Sequence, residues 1–135
     1  FMLSENRTVF TVQDEIKPFE GENDFYWFWH TLADITVNEN SRSVSLARNG
    51  VVCKIYFDSN VDFTITKQDV LTSLPGSPVV EGQNQMPHAA KMHKIVVNFQ
   101  SSGEPIIFRA TAVPFGKNID RDTLAPISEW TIPNP

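Results

Sequence analysis

The chain has 135 residues, of which 41% are hydrophobic and 20% are charged. This length and balance are typical of one globular domain with its own core rather than of a disordered segment. The formal net charge is −5, which argues against nucleic-acid binding because a nucleic-acid-binding surface is usually basic. No apolar stretch is long enough to span a membrane and no signal peptide is recognisable. We therefore expect neither a nucleic-acid nor a membrane partner.

One cysteine, Cys53, lies in an alternating apolar pattern. A lone cysteine cannot form an internal disulfide, and we expect it to act as a small buried hydrophobic residue. No Cys or His spacing of a metal site occurs, so the sequence predicts no metal and no cofactor. The chain begins at Phe1 among apolar residues, which suggests a piece of a longer protein.

In chain order, residues 7–16 alternate polar and apolar side chains and predict a strand. Pro18 and Gly21 then mark a loop. Residues 25–31 contain five consecutive aromatic residues. In a strand they fall on two faces, with Phe25, Trp27 and Trp29 on one and Tyr26, Phe28 and His30 on the other.

An aromatic strand with two apolar faces has two interpretations. The simpler one is a central core strand that is covered on both sides. The other is an aromatic platform for a sugar ring or a protein partner. His30 and Tyr26 share a face but lie about 13 Å apart along the strand, so we expect His30 to be structural rather than catalytic.

Further strands are predicted at residues 34–37, 42–48, 51–57 and 61–66, forming a meander. Asn49 and Gly50 predict a type I′ hairpin turn because both central residues need a positive φ. Residues 67–90 are predicted to form a long, turn-rich loop. Residues 91–100 and 105–113 are predicted to pair as a hairpin. Residues 115–135 are predicted to be an irregular tail behind a strand-rich body (1–114), all within one domain (1–135).

These elements predict an all-β fold, an antiparallel two-sheet β-sandwich of jelly-roll-like type with little or no helix. Asp14 and Glu15 are neighbours in a strand and must point to opposite faces, so they are not an acid/base pair. One basic cluster remains: His88, Lys91, His93 and Lys94. It is either an ordinary solvated edge or a loop that binds the carboxylate or sulfate of an acidic sugar.

The order of several segments resembles one family. Residues 11–16 (Thr-Val-Gln-Asp-Glu-Ile) precede residues 26–31 (Tyr-Trp-Phe-Trp-His-Thr), then the hairpin 44–50, a long Gly/Pro loop and the closing strand 106–114. This combination, from about Thr8 to Pro114, resembles the β-rich C-terminal region of heparinase II/III-type polysaccharide lyases.

The resemblance implies a bacterial parent enzyme that cleaves uronate-containing acidic glycans by β-elimination. Such an enzyme neutralises the uronate carboxylate, removes the C5 proton and protonates the leaving oxygen. In that family the catalytic Tyr and His lie on an α/α toroid and on an earlier part of the β-region, so no catalytic residue is carried over. We therefore expect a support domain that is inactive alone. Its expected partners are the N-terminal α/α toroid and β domains of the parent and an acidic polysaccharide, in the periplasm or secreted.

Two alternatives stay open. One is a carbohydrate-binding module in which Tyr26, Trp27, Trp29 or Trp130 stacks on sugar rings. The other is a structural sandwich that binds another protein through Tyr26 and Phe28. The residues with a predicted substrate-binding role are Tyr26, Trp29, His30, His88, Lys91, His93 and Lys94.

Overall fold

The structure is a computed structural model that describes residues 1–4, 8–70, 92–115, 119 and 124–130. Within these residues the chain forms nine strands and two single-turn 3-10 helices, Glu39–Ser41 and Ile127–Glu129. The strands are β1 (Met2–Ser4), β2 (Val9–Ile16), β3 (Asn23–Thr31), β4 (Asp34–Asn38), β5 (Ser43–Arg48), β6 (Val51–Ser59), β7 (Phe63–Asp69), β8 (His93–Ser101) and β9 (Ile106–Pro114).

The strands form two antiparallel sheets that pack face to face. The larger sheet has six strands in the order β1-β2-β9-β6-β5-β4, and the smaller has three in the order β3-β8-β7. The predicted all-β, two-sheet antiparallel sandwich is confirmed.

The core between the sheets is built around Phe108 of β9. Its side chain is 1% exposed, and its ring contacts four other rings at centroid distances of 5.3–6.2 Å. These rings belong to Trp27, Phe57, Phe63 and Phe99. Trp27, Phe63 and Phe99 come from all three strands of the small sheet. Burial of these aromatic surfaces therefore joins the two sheets.

The predicted turn between β5 and β6 is confirmed. Asn49 and Gly50 have φ values of 51° and 77°, and they connect the cross-strand pair Arg48 and Val51. Gly50 adopts this backbone conformation without the steric cost that a Cβ atom would add.

The predicted hairpin between residues 91–100 and 105–113 is wrong. β8 belongs to the small sheet, whereas β9 lies between β2 and β6 in the large sheet. The intervening turn, in which Ser101 Oγ donates a 2.8 Å hydrogen bond to the Glu104 carbonyl, carries the chain across the sandwich. A short turn between two apolar strands is compatible with either connection, so the sequence pattern could not distinguish them.

The predicted meander is confirmed for β4, β5 and β6, but the next strand does not continue it. β7 crosses into the small sheet and pairs with β8. It also runs to Asp69, past the predicted loop start at residue 67. β1 had no sequence signal. The rest of the predicted loop, residues 71–90, lies outside the described residues.

The tail covers part of the outer face of the large sheet. Gln13 Nε2 donates a 2.8 Å hydrogen bond to the Ala125 carbonyl, and the Ile127 amide donates to the Glu15 carboxylate. Ile119 packs against a small cluster formed by Val9, Tyr56 and Val113. Glu15 therefore faces this cover, whereas Asp14 lies opposite Phe108 on the inner face, as their alternation predicts.

Candidate functional site

The interpretation of the aromatic strand as a central strand is wrong. Among the described strands, β3 pairs only with β8 and forms an edge of the small sheet. Its inner side chains pack against the core, but Tyr26 and Phe28 are 36% and 40% exposed on the outer face. We call Tyr26, Phe28 and His30 the aromatic row.

The spacing of a β-strand produces the aromatic row. Alternate residues point to the same face, so three rings follow one another along β3. The Tyr26 and Phe28 rings are nearly parallel, with an angle of 7° and a centroid distance of 6.3 Å. The His30 ring lies 6.4 Å from Phe28 at 39°. The row therefore offers a linear set of apolar ring surfaces, ending in a side chain that can donate or accept hydrogen bonds.

A buried lysine lies beside this row. Lys94 of β8 is the cross-strand neighbour of His30, and its Nζ lies 5.6 Å from the centroid of the Phe28 ring. A cation near an aromatic face is stabilised by the electron-rich ring. Lys94 is only 7% exposed, so an incoming molecule meets the ring of Phe28 before the ammonium group. Its charge nevertheless makes the local potential around the row more positive.

A shallow depression adjoins the row, where the turn between β6 and β7 meets β8. Its lining includes Arg42, Asn60, Asp62, Phe63, Asn98 and Gln100. We call it the Arg42 depression. The Arg42 guanidinium lies 5.0 Å from the centroid of the Phe63 ring and 3.7 Å from the Asp62 carboxylate. Both charged side chains are well exposed, so the ion pair is weak and its partners are open to exchange.

Asn98 connects the depression with the aromatic row. It is the cross-strand neighbour of Tyr26, and it also lines the depression. Its side-chain amide donates to the Asp24 carboxylate at 3.3 Å and to the Phe25 carbonyl at 3.2 Å. These bonds fix the orientation of the amide between the two features. Asn98 therefore lies beside both the aromatic row and the Arg42 depression.

The structure brings together three of the residues with a predicted binding role: Tyr26, His30 and Lys94. Trp29 points into the core side and contacts Trp27, with a centroid distance of 5.9 Å. His93 points to the opposite face of β8 from Lys94, and it makes a 3.0 Å hydrogen bond with Asp69. Trp29 and His93 are thus separated from the aromatic row. His88 and Lys91 lie outside the described residues.

Three residues of this site, Phe28, Asn98 and Arg42, were missing from the predicted substrate-binding set, although Phe28 was predicted to bind a protein partner. Phe28 could have been included, because it alternates with Tyr26 and His30. Arg42 carries no comparable signal, since its closeness to Phe63 exists only after β7 crosses to the small sheet. Trp130, another predicted stacking residue, lies in the tail, where its indole donates to the Ala125 carbonyl.

Within the described part of the chain, no group of three or more His, Cys, Asp or Glu side chains is placed to hold a metal ion. No described helix is long and apolar enough to cross a membrane. Burial raises the pKa of the Cys53 thiol, opposed by a smaller effect of a hydrogen bond with the backbone of Val113. The thiol is therefore mostly un-ionised near neutral pH and a weak nucleophile.

Comparisons with known proteins assign no family. A scan against protein-family models finds none that matches this chain, and a search of curated proteins also finds no match. The resemblance to heparinase II/III-type lyases therefore stays a prediction from the sequence.

Proposed function

We propose that this chain is an accessory β-sandwich domain of a heparinase II/III-like polysaccharide lyase, and that it contacts the acidic glycan through the aromatic row and the Arg42 depression. The catalytic groups would lie in other domains of the parent. The observation that carries the proposal is the exposed, nearly parallel pair of rings of Tyr26 and Phe28 on the outer face of the small sheet.

Sugar rings present C–H groups on their faces and hydroxyl groups around their rims. The apolar faces are removed from water when they pack on aromatic rings, whereas the hydroxyl groups of the rims need hydrogen-bonding partners. The aromatic row supplies the first kind of surface. His30 and the neighbouring amide of Asn98 supply polar groups beside it. An extended glycan could therefore lie along β3 with both requirements met.

The acidic groups of such a glycan need a cation. Arg42 is exposed and its guanidinium can form paired hydrogen bonds with a carboxylate or a sulfate. Asp62, at 3.7 Å, would compete for the same guanidinium, which favours a multiply charged ligand over an isolated carboxylate. The net charge of −5 would weaken binding to any polyanion, so contact should be local and sensitive to salt.

A second candidate function is favoured by the same exposed rings. Tyr26 and Phe28 would then pack on a neighbouring domain of the parent, and the sandwich would brace the enzyme without touching glycan. Aromatic residues are enriched at the centres of protein interfaces. This reading predicts no glycan binding by the isolated chain.

An NMR titration with heparan-, chondroitin- and alginate-type oligosaccharides separates the two candidates. The glycan-contact proposal predicts saturable shifts in β3, in Asn98 and around Arg42. Absence of shifts with all three glycans would contradict it and favour bracing. The same mixtures should be followed for the ultraviolet absorbance of unsaturated uronate. Product formation would contradict the assignment of catalysis to other domains.

Two variants sharpen this test. Tyr26→Ala removes one ring of the row, and Arg42→Gln removes the charge while keeping a polar side chain. Thr36→Ala on the outer face of β4 is a matched control, because its side chain is exposed in the other sheet. Binding weakened in the first two variants and unchanged in the control is the expected result.

A further inference from the structure

The tip of the hairpin between β5 and β6 is open to solvent. Residues 47–52, which include the turn and the strand ends on both sides of it, are all exposed. The tip holds the single place in the chain where an asparagine is followed by a glycine, Asn49 and Gly50. No atom beyond its chain neighbours lies within 4 Å of the position that a Cβ atom of Gly50 would take. Water and base can therefore reach this pair freely.

An asparagine before a glycine places an electrophile beside a nucleophile. The side-chain carbon Cγ of Asn49 can close a five-membered ring with the backbone nitrogen of Gly50. This closure is intramolecular, so no second molecule has to be positioned, and glycine has no side chain to hinder it. The pair that closes the turn is Arg48 and Val51. The Gly50 amide therefore lies outside the ladder of backbone hydrogen bonds and is free to lose its proton to base.

The other described asparagines do not combine these features. Four of them use the side-chain amide in hydrogen bonds: Asn23, Asn38, Asn60 and Asn98. Asn60, for example, donates to the Pro105 carbonyl at 2.9 Å and accepts from the Ile107 amide at 2.7 Å. Asn40 precedes a serine, whose side chain hinders ring closure. In the part of the chain that the structure describes, no hydrogen bond restrains the side chain of Asn49.

We propose that Asn49 is a site of spontaneous deamidation, with water as the co-reactant. The Gly50 nitrogen gives its proton to a base and bonds to Cγ of Asn49. The bond between Cγ and Nδ2 breaks, and ammonia leaves after taking up a proton, so that a succinimide ring remains. Water then adds to one of the two ring carbonyl carbons, and the bond from that carbon to the Gly50 nitrogen breaks. The carbon keeps the hydroxyl group and the nitrogen regains a proton, so no oxidant or reductant is needed.

The two ring carbonyls lead to different products. Opening of the ring at Cγ gives aspartate with a normal backbone. Opening at the main-chain carbonyl gives isoaspartate, in which the backbone continues through Cβ and Cγ and is longer by one methylene carbon. Both products replace a neutral amide by a carboxylate, so each makes the net charge of −5 more negative by one unit.

The longer backbone of isoaspartate matters at this turn. Asn49 and Gly50 have φ values of 51° and 77°, and a two-residue loop matches the twist of its strands only with such angles. Isoaspartate therefore disturbs the pairing of Arg48 with Val51, whereas aspartate before glycine is itself a favoured sequence for this turn. The turn belongs to the large sheet, so the proposal does not depend on glycan binding by the small sheet.

Peptide mapping by mass spectrometry tests the site. The folded full chain is incubated at neutral and at mildly alkaline pH, and the mass gain from replacement of NH2 by OH is followed at each asparagine. We expect Asn49 to react at least about tenfold faster than Asn60 and Asn98, because ring closure is unhindered only at Asn49. The rate should rise with pH, since the attacking nitrogen must lose its proton.

Two variants test the route. Gly50→Ala should slow the reaction at least about fivefold, because the added methyl group disturbs the alignment of the reacting atoms. Since this change also strains the turn, Asn49→Gln is a second variant. Its longer side chain would have to close a six-membered ring, and the mass gain should disappear from this peptide. Circular dichroism of each variant checks that the sandwich is intact.

Asn49→Asp is the matched control for the effect on the turn, because it adds the charge and keeps the backbone. The isoaspartyl form is separated from the aged protein by chromatography. We expect its Val51 amide to exchange hydrogen faster than in the wild type and its urea midpoint to fall below that of Asn49→Asp. Asn49→Asp itself should stay close to the wild type.

Three results would overturn the proposal. The first is deamidation of Asn49 in the folded chain that is no faster than deamidation of Asn60 and Asn98. The second is a rate that folded Gly50→Ala leaves unchanged, because the succinimide route needs an unhindered nitrogen. The third is an isoaspartyl form as stable as Asn49→Asp, which would contradict the predicted disturbance of the turn.

Discussion

Phe108 and Phe28 are the same residue type, but Phe108 lies between the two sheets and Phe28 lies on the outer face of the small sheet. Replacing each by alanine tests this assignment of inner and outer faces. Phe108 is 1% exposed and its ring contacts four other rings. Phe28 is 40% exposed and lies in the aromatic row. The structure therefore predicts that Phe108 holds the sheets together, whereas Phe28 serves the outer surface.

The expected costs differ clearly. Phe108→Ala removes a fully buried ring and leaves a cavity between the sheets, so we expect the free energy of unfolding to fall by about 4 kcal/mol. Full burial of a phenylalanine contributes about 1.5–3 kcal/mol. Since Phe28 is only partly covered, Phe28→Ala should cost about 1–1.5 kcal/mol. Typical domains have total stabilities of about 5–15 kcal/mol, so Phe108→Ala removes a large share and Phe28→Ala does not.

Urea unfolding of both variants and the wild type, followed by tryptophan fluorescence and far-ultraviolet circular dichroism, measures these differences. Trp27 contacts Phe108, so its fluorescence also reports the core directly. Equal costs for the two variants would refute the assignment of inner and outer faces. A cost for Phe108→Ala below about 2 kcal/mol would refute its central position, because fully buried phenylalanines typically cost about 3–5 kcal/mol.

Three further results are expected. Gly50→Ala should cost about 1 kcal/mol in urea unfolding, since a side chain is strained at the φ of 77° that the turn requires; an unchanged midpoint would contradict the turn. Arg109→Leu should cost about 2–3 kcal/mol, because it leaves the partly buried carboxylate of Asp58, 3.6 Å away, without this cation; a neutral or stabilising effect would contradict that role. Cys53 should react more slowly with a thiolate-directed reagent in the folded chain than in urea, and equal reaction rates would show that the folded chain leaves the thiol accessible. Because burial raises the pKa of this thiol, the free energy of unfolding should fall as pH rises above about 9.0, where the thiol of the unfolded chain ionises first.

The fold class and most strands follow from the sequence because alternation of apolar residues reports burial on one face. The turn at Asn49 and Gly50 follows because few residue types accept its backbone angles. The sheet assignment of β7 and β9 did not follow. β9 is buried on nearly its whole length, and a strand buried on both faces loses the alternation that would indicate its neighbours.

The candidate site could likewise be predicted only in part from the sequence. The alternation of β3 places Tyr26, Phe28 and His30 on one face whatever the neighbours are. Whether that face is covered depends on the position of β3 in its sheet, and the five-aromatic run favoured a central strand. Arg42 joins the surface only through the crossing of β7, a long-range contact that leaves no local signal.

The central claim is that the aromatic row and the Arg42 depression contact the glycan. Calorimetric titration with one chondroitin-type oligosaccharide tests it most directly. The titrated proteins are the wild type, the Tyr26→Ala/Phe28→Ala double variant and Arg42→Gln. The proposal predicts saturable binding by the wild type. It also predicts a loss of at least about tenfold in affinity, or about 1.4 kcal/mol, for the double variant, with a smaller loss for Arg42→Gln. Equal affinity of all three folded proteins would contradict the claim that this surface contacts the glycan.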